Sequence, residues 1–306
     1  MANTSPRYKL IAIDLDGTLL GPDGQVSDRA RQAIHRALDA GLLICFATGR
    51  NWTESRFAVD AVGHYATAVF VGGAIVMDTH QRVTLHRTLM EPDLARQISR
   101  DLESRGYAVL ALQDTASCGV DYLISGNAEM HPETRLWMEK TRATVQRIAT
   151  LADHAHEHTI RIGMIALSAE THRVRDEMIA AYSQRIFCQC VEIMPQGLAV
   201  LEVFDPSVNK WEGIKQVAKI HGIAHEQIMA IGDDVNDLHM IRGAGLGVAM
   251  GNAHPQVRAI AKRIIGSNAE DGLAVFLEEV VATNMVEPLQ DKKSDAKSNA
   301  QSGAAA

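Results

Sequence analysis

Asp14 and Asp16 stand two positions apart at the end of an apolar run, in "IAIDLDGTLL" (residues 11–20), and glycine and threonine follow at once. Three further groups have side chains suited to chemistry. They are Thr48-Gly49-Arg50, Lys210, and the run Gly232-Asp233-Asp234-Val235-Asn236-Asp237. Taken singly, each has a structural explanation. Asp-Gly is a turn former, Thr-Gly commonly closes a strand, and acids at a helix start favour its dipole. Taken together they pose an electrostatic problem. Asp14, Asp16, Asp233, Asp234 and Asp237 would converge on one sheet edge, where carboxylates repel and are costly to bury unpaired. A hard divalent cation resolves this, and a site of carboxylates and water suits Mg²⁺. A neighbouring hydroxyl, an ammonium and backbone N–H groups would then bind an anion with several oxygens, for which phosphate fits. Metal, lysine, hydroxyl and an ionised carboxylate together describe phosphoryl transfer, with a carboxylate as candidate nucleophile.

Other chemistries fail on spacing. A calcium-binding EF-hand loop starting at Asp14 would need glycine at its sixth position and glutamate at its twelfth, where Leu19 and Gln25 stand. No G-x-x-x-x-G-K-[ST] occurs, and "AGLGVAMGNA" lacks the dinucleotide-binding glycine spacing. His154, His156 and His158 in "DHAHEH" fall on alternate positions, but among acids they read as a solvated polar stretch. Arg161, Arg173 and Arg175 read as surface residues, and Met164, Met178 and Met194 as core filler.

The elements that must position the acids follow from apolar patterning. "YKLIAID" (8–14), "LLICFAT" (42–48) and "ATAVFVGG" (66–73) are continuous apolar runs, as expected of buried strands. Between them Ser27 caps a helix that Gly41 ends, and a second helix is expected from Trp52 to about Val62. Strand and helix alternation with unbroken apolar strands predicts a doubly wound parallel α/β sheet, whose ligands bind at the carboxyl ends of the strands. Asp14, Asp16 and Thr48 fall at such ends. After residue 85 the texture becomes more mixed, with a helix near 131–150 and another near 171–181. After Pro206 the first texture returns, with a helix at 208–221 and a strand at 228–234. The expected organisation is therefore a core of residues 1–85 and 207–285 interrupted by an α+β cap of residues 86–206. Residues 286–306 read as a disordered tail.

The chain has 306 residues, 46% of them hydrophobic, and a net charge of −7. A mildly acidic chain without a basic cluster is not a nucleic-acid binder. No apolar run is long enough to span a bilayer, and nothing near the start reads as a secretory signal. Cys45, Cys118, Cys188 and Cys190 read as reduced thiols rather than a disulfide framework or zinc site. A cytoplasmic chain with no obligate protein partner is expected.

"DLDGTLL", "ATGR", Lys210 and "GDDVND" resemble, in order, the four signature motifs of the haloacid dehalogenase superfamily. The stretch from Gly232 to about residue 280 is similar to its Cof-type sugar-phosphatase branch. The resemblance covers about half the chain, on both flanks of the interrupting module. It implies a Rossmann-like core, with Asp14 as a nucleophile that becomes an aspartyl-phosphate and Asp16 as the acid, then the base. It further implies that Asp14, the backbone carbonyl of Asp16 and Asp233 hold Mg²⁺, with Asp234 and Asp237 orienting its waters. Thr48, Gly49, Lys210 and Asn236 would bind phosphate. Two places depart from the branch. Val71-Gly72-Gly73 stands where Asn-Gly is common, and Trp211 and Glu212 follow Lys210 where smaller residues are usual, which would narrow the entrance. The expected function is Mg²⁺-dependent hydrolysis of a small phosphorylated metabolite, a sugar phosphate in particular. The rivals are a phosphomutase on the same scaffold and a non-enzymatic, metal-binding interaction protein.

Overall fold

The computed structural model describes residues 8–125, 132–193 and 197–283. In chain order the first part runs β1 (Leu10–Ile13), α1 (Asp28–Asp39), β2 (Leu43–Phe46), α2 (Trp52–Val62) and a hairpin series β3 (Thr67–Phe70), β4 (Ile75–Asp78) and β5 (Val83–Arg87). The middle part is α3 (Pro92–Ser104), β6 (Val109–Gln113), α4 (Thr115–Cys118), β7 (Tyr122–Ser125), α5 (Pro132–Thr141), β8 (Val145–Arg147), β9 (Thr159–Leu167), α6 (Ser168–Tyr182), β10 (Phe187–Ile193) and β11 (Leu198–Phe204). The last part is α7 (Lys210–His221), β12 (Ile228–Gly232), α8 (Leu238–Gly243), β13 (Leu246–Ala249), α9 (Pro255–Ile260), β14 (Arg263–Ile264) and α10 (Gly272–Ala282).

The first and last parts share a five-stranded parallel sheet in the order β14-β13-β12-β1-β2. β1 lies between β12 and β2, and all four of its residues are buried, as a strand covered on both faces requires. The middle part forms a six-stranded sheet, β10-β11-β9-β6-β7-β8, antiparallel except between β7 and β8. This is an α/β Rossmann-like core with an inserted α+β cap. One face of the cap sheet, through Leu112, Tyr122, Ile160 and Phe204, joins the apolar core of the parallel sheet. The opposite face, with Ile162, Met164 and Leu201, packs on α3 and α6 in a core of its own.

Local chemistry explains the elements that matter. Ser27 Oγ accepts from Ala30 N at 3.0 Å and starts α1. Asn51 and Glu54 form a reciprocal capping box that fixes the start of α2. Asn209 caps α7, so Lys210 is its first residue.

Several expectations need correction. The 66–73 run is not a further strand of the main sheet. It supplies β3 of an antiparallel three-stranded sheet β3-β4-β5, linked to the end of β2 by a parallel bridge between Ala47 and Val69. The helix near 131–150 stops at Thr141, and residues 145–147 form β8. Arg161 is a largely covered ion-pair partner of Glu202 rather than a surface group. Arg173 and Arg175 are in exposed ion pairs on α6. The histidine stretch is not uniformly solvated. His156 is buried, with Nδ1 2.9 Å from Thr159 Oγ1 and Nε2 2.8 Å from the Leu151 carbonyl. Burial pushes its pKa down to about 4. The four cysteines are free thiols. Met164 and Met178 are buried, whereas Met194 and the 286–306 tail lie outside the described residues. Among the described residues no helix is long and apolar enough to cross a membrane.

The β3–β4 turn is held in an unusual conformation. Val71 has φ +52°, which a β-branched residue rarely adopts and asparagine tolerates better. Its N–H donates to the Arg50 carbonyl at 2.8 Å, and Gly72 N donates to the Thr48 carbonyl at 3.0 Å. Gly73, at φ +107°, lies so close to the start of α7 that a Cβ would overlap the Asn209 carbonyl. Gly73→Ala should therefore lower unfolding free energy by more than about 1 kcal/mol in a urea titration. An unchanged midpoint would show that the turn does not constrain α7.

Candidate functional site

The core sheet reverses its direction of growth between β1 and β12. The chain adds β2 on one side of β1, then returns to place β12 on the other. Such a reversal opens a crevice at the carboxyl ends of the two strands. Asp14 follows β1 and Asp233 follows β12, so both carboxylates fall at that crevice. Asp14 N donates to the Ile231 carbonyl at 3.0 Å, which extends the ladder up to the nucleophile candidate.

Lys210 reaches this point from α7. Its ammonium is buried, with only 1% of the side chain exposed, and donates to Asp14 Oδ1 and Asp237 Oδ1, both at 2.6 Å. Asp237 Oδ2 accepts from the N–H groups of Asp233 and Asp234 at 2.9 and 3.1 Å. Asp237 thereby pins the loop that carries Asp233. Thr18 Oγ1 donates to Asp233 Oδ1 at 3.2 Å, and Asn252 Nδ2 donates to the Gly17 carbonyl at 2.9 Å. Gly17, at φ +75°, is close enough to Asp233 that a Cβ would overlap its carboxylate, so only glycine fits there.

The charge balance is lopsided. Carboxylate oxygens of Asp14, Asp233 and Asp237 lie within 4.8 Å of one another, with one ammonium among them. Desolvation, then the charge of Asp237, push the Asp14 pKa well above the usual carboxylate range, although Lys210 opposes them. Burial, followed by Asp237, pushes Asp233 up to about 7. Burial works against the charge of Lys210, but Asp14 and Asp237 outweigh it and raise its pKa. Clustered, hard oxygen donors with surplus negative charge fit a divalent cation, which would reverse the upward shifts of the acids.

The remaining residues occupy different positions. Thr48 is buried, and its Oγ1 accepts from Arg50 N at 3.2 Å. Gly49 faces Asn236, whose Nδ2 would be 3.9 Å from a Cβ placed there. Asp234 is exposed and caps the short turn at Val235–Asp237, its Oδ1 accepting from Val235 N at 2.7 Å. The Asp16 side chain is 54% exposed and stands outside the carboxylate cluster. Both its oxygens are held by Arg50, whose Nε and Nη2 donate at 2.8 and 2.6 Å. Trp211 does not narrow the entrance. It packs against Gly243 and edge-on to His225 at 5.2 Å, because one helical step from Lys210 turns it toward α8. Glu212 pairs with Lys215 at 2.7 Å. Sequence reasoning assigned no role to Arg50, Thr18 or Asn252. Arg50 and Thr18 lie inside the quoted motifs, whereas Asn252 carries no local signal.

The comparisons with known proteins agree with this geometry. The haloacid dehalogenase-like hydrolase family matches residues 11–277, and the chain belongs to that family. The 5-amino-6-(5-phospho-D-ribitylamino)uracil phosphatase YitU of Bacillus subtilis is 28% identical over 88% of this chain and 96% of its own length. The pyridoxal phosphate phosphatase YbhA of Escherichia coli is 26% identical over 88% and 97%. A haloacid dehalogenase-like hydrolase structure from Bacteroides thetaiotaomicron superposes with a TM-score of 0.74 at 21% identity, covering 89% of this chain and 99% of that one. A subclass IIB sugar phosphatase superposes at 0.71 with 19% identity, over 91% and 100%. The chain is a phosphoric monoester hydrolase of the Cof type.

The charge surplus has a consequence for stability. Asp233 titrates near 7 when folded but near 4 when unfolded, so the metal-free native state binds the extra proton between those values. Stability from this group is therefore present at about pH 4 and lost as pH rises through about 7. Chelator-treated protein should show a Tm that falls over this range, with the fall reduced in Asp233→Asn. An equal fall in both proteins would remove Asp233 from the cluster.

Proposed function

We propose that the chain is a Mg²⁺-dependent phosphatase of small phosphorylated metabolites, sugar phosphates in particular, working through phosphorylated Asp14. One observation carries the reading: Asp14 is buried at the strand crevice, with Lys210 Nζ 2.6 Å from one oxygen and Asp233 beside it. A carboxylate so placed is a nucleophile with its charge partly offset. The relatives act on phosphates of a ribitylaminouracil and of pyridoxal, and a structural neighbour is a sugar phosphatase, which supports a small phosphomonoester as substrate.

In this mechanism an Asp14 oxygen attacks phosphorus, the bond to the ester oxygen breaks, and Asp16 gives its proton to the departing oxygen. Asp16, now a carboxylate, takes a proton from water as that oxygen attacks the acyl-phosphate. The bond between phosphorus and Asp14 breaks, and inorganic phosphate leaves. Lys210 offsets charge between nucleophile and phosphate. Thr48, the Gly49 N–H and Asn236 hold the phosphate oxygens. Asp14, the Asp16 carbonyl and Asp233 would hold Mg²⁺, and Asp234 and Asp237 would orient its waters. Bound there, the ion would neutralise charge on the phosphoryl group. We assign residues 1–85 and 207–285 to the catalytic unit and 86–206 to the cap, following the membership of the two large sheets.

Asp14→Asn should bring phosphate release to background while leaving cooperative unfolding intact; near-normal turnover would remove the nucleophile. Asp16→Asn should cost about 10²–10⁴ in rate. EDTA should abolish activity and Mg²⁺ restore it, read as free phosphate from a panel of phosphomonoesters. Activity indifferent to EDTA would contradict the metal.

A further inference from the structure

Arg50 sits between two carboxylates on different parts of the molecule. On one side it holds Asp16 by a two-pronged contact. On the other, Glu54 in the first turn of α2 accepts from the N–H of Asn51, the residue after Arg50, at 3.4 Å. The Arg50 guanidinium carbon lies over the Phe57 ring, 5.7 Å from the centroid. Glu54 is in turn gripped by the cap. The Tyr122 hydroxyl of β7 donates to Glu54 Oε1 at 2.8 Å, and Asn51 Nδ2 donates to the same oxygen at 2.9 Å. Arg161 of β9 is 3.2 Å from that hydroxyl and pairs with Glu202 of β11. The neighbouring Asp121 accepts from Thr53 Oγ1 at 2.8 Å. The first turn of α2 is thus clasped by two consecutive cap residues, immediately after the loop that carries Thr48 and Arg50.

We propose that Arg50 is the positioning residue of Asp16, and that the cap sets its placement through Tyr122 and Glu54. The inference rests on Asp16 as the acid of the proposed mechanism. A guanidinium has donors only, so it orients a carboxylate but offers nothing to a carboxyl O–H. An Asp16 that carries a proton to the ester oxygen must free one oxygen from Arg50. A second carboxylate, tethered to the cap, gives the guanidinium an alternative partner when that happens. Cap seating over a substrate and readiness of the acid are then linked through one side chain.

The chemistry supplies a readout that a merely structural role would not move. A p-nitrophenolate leaves without a proton, whereas an alkoxide does not, so a misplaced acid harms alkyl phosphates selectively. The test measures alcohol or phenol release in the first turnover, with a hexose phosphate and with p-nitrophenyl phosphate. Arg50→Gln should slow the hexose phosphate by at least about tenfold more than the aryl phosphate, within the range of acid catalysis. Tyr122→Phe, which keeps the ring and removes only the hydroxyl, should show the same selectivity to a smaller degree. Equal losses on both substrates, or no loss, would overturn the proposal. Asp16→Asn in the same assay separates the readings. If it lacks the selectivity, the assignment of Asp16 as acid fails; if it alone shows it, the role of Arg50 fails.

Discussion

One ammonium among three carboxylates is the constraint around which the site is built. Lys210 contacts Asp14 and Asp237 directly, and Asp233 completes the cluster. Buried, partly compensated charge is costly, which marks the cluster as a place for a bound partner that completes it. Burial, and after it the negative charge of Asp237, makes Asp14 and Asp233 hard to ionise in the bare protein, and the surplus matches a divalent cation and an anionic substrate arriving together. Neutralising the cluster with apolar residues would favour stability and remove the chemistry.

The architecture follows from that requirement. Residues distant in sequence must meet at one point, and a parallel sheet whose strand order reverses beside β1 brings β1 and β12 ends together. Gly17 and Gly73 permit two close approaches, loop against carboxylate and turn against helix start. Asp237 connects Lys210 to the Asp233 loop, so the two sides of the carboxylate cluster are held by one side chain. The cap is not separate from this arrangement. It reaches the helix that follows the Thr48–Arg50 loop through Tyr122 and Asp121 on the first turn of α2.

Much of the core was legible because its signals are local. The apolar runs, the Ser27 cap and the Trp52–Val62 helix each follow from a few neighbouring residues. Asp14, Lys210 and Asp233 were legible because each follows a strand or opens a helix, where side chains gather. The cap was read less well. β8 has no apolar pattern, all three of its residues being exposed, so the end of α5 was placed too late. Arg161 and His156 look solvated in sequence, and only tertiary partners, Glu202 for one and Thr159 and Leu151 for the other, make their withdrawal from solvent possible. The grip of Arg50 on Asp16 joins residues 34 positions apart and leaves no periodic trace.

The central claim is that this cluster takes up a divalent cation by giving up protons. Calorimetric titration of Mg²⁺ into metal-free protein near pH 7, repeated in buffers of different ionisation enthalpy, tests it directly. The account predicts one ion per chain with net proton release, and weaker binding with less release in Asp233→Asn. Binding without proton release, or binding unchanged by that substitution, would contradict it.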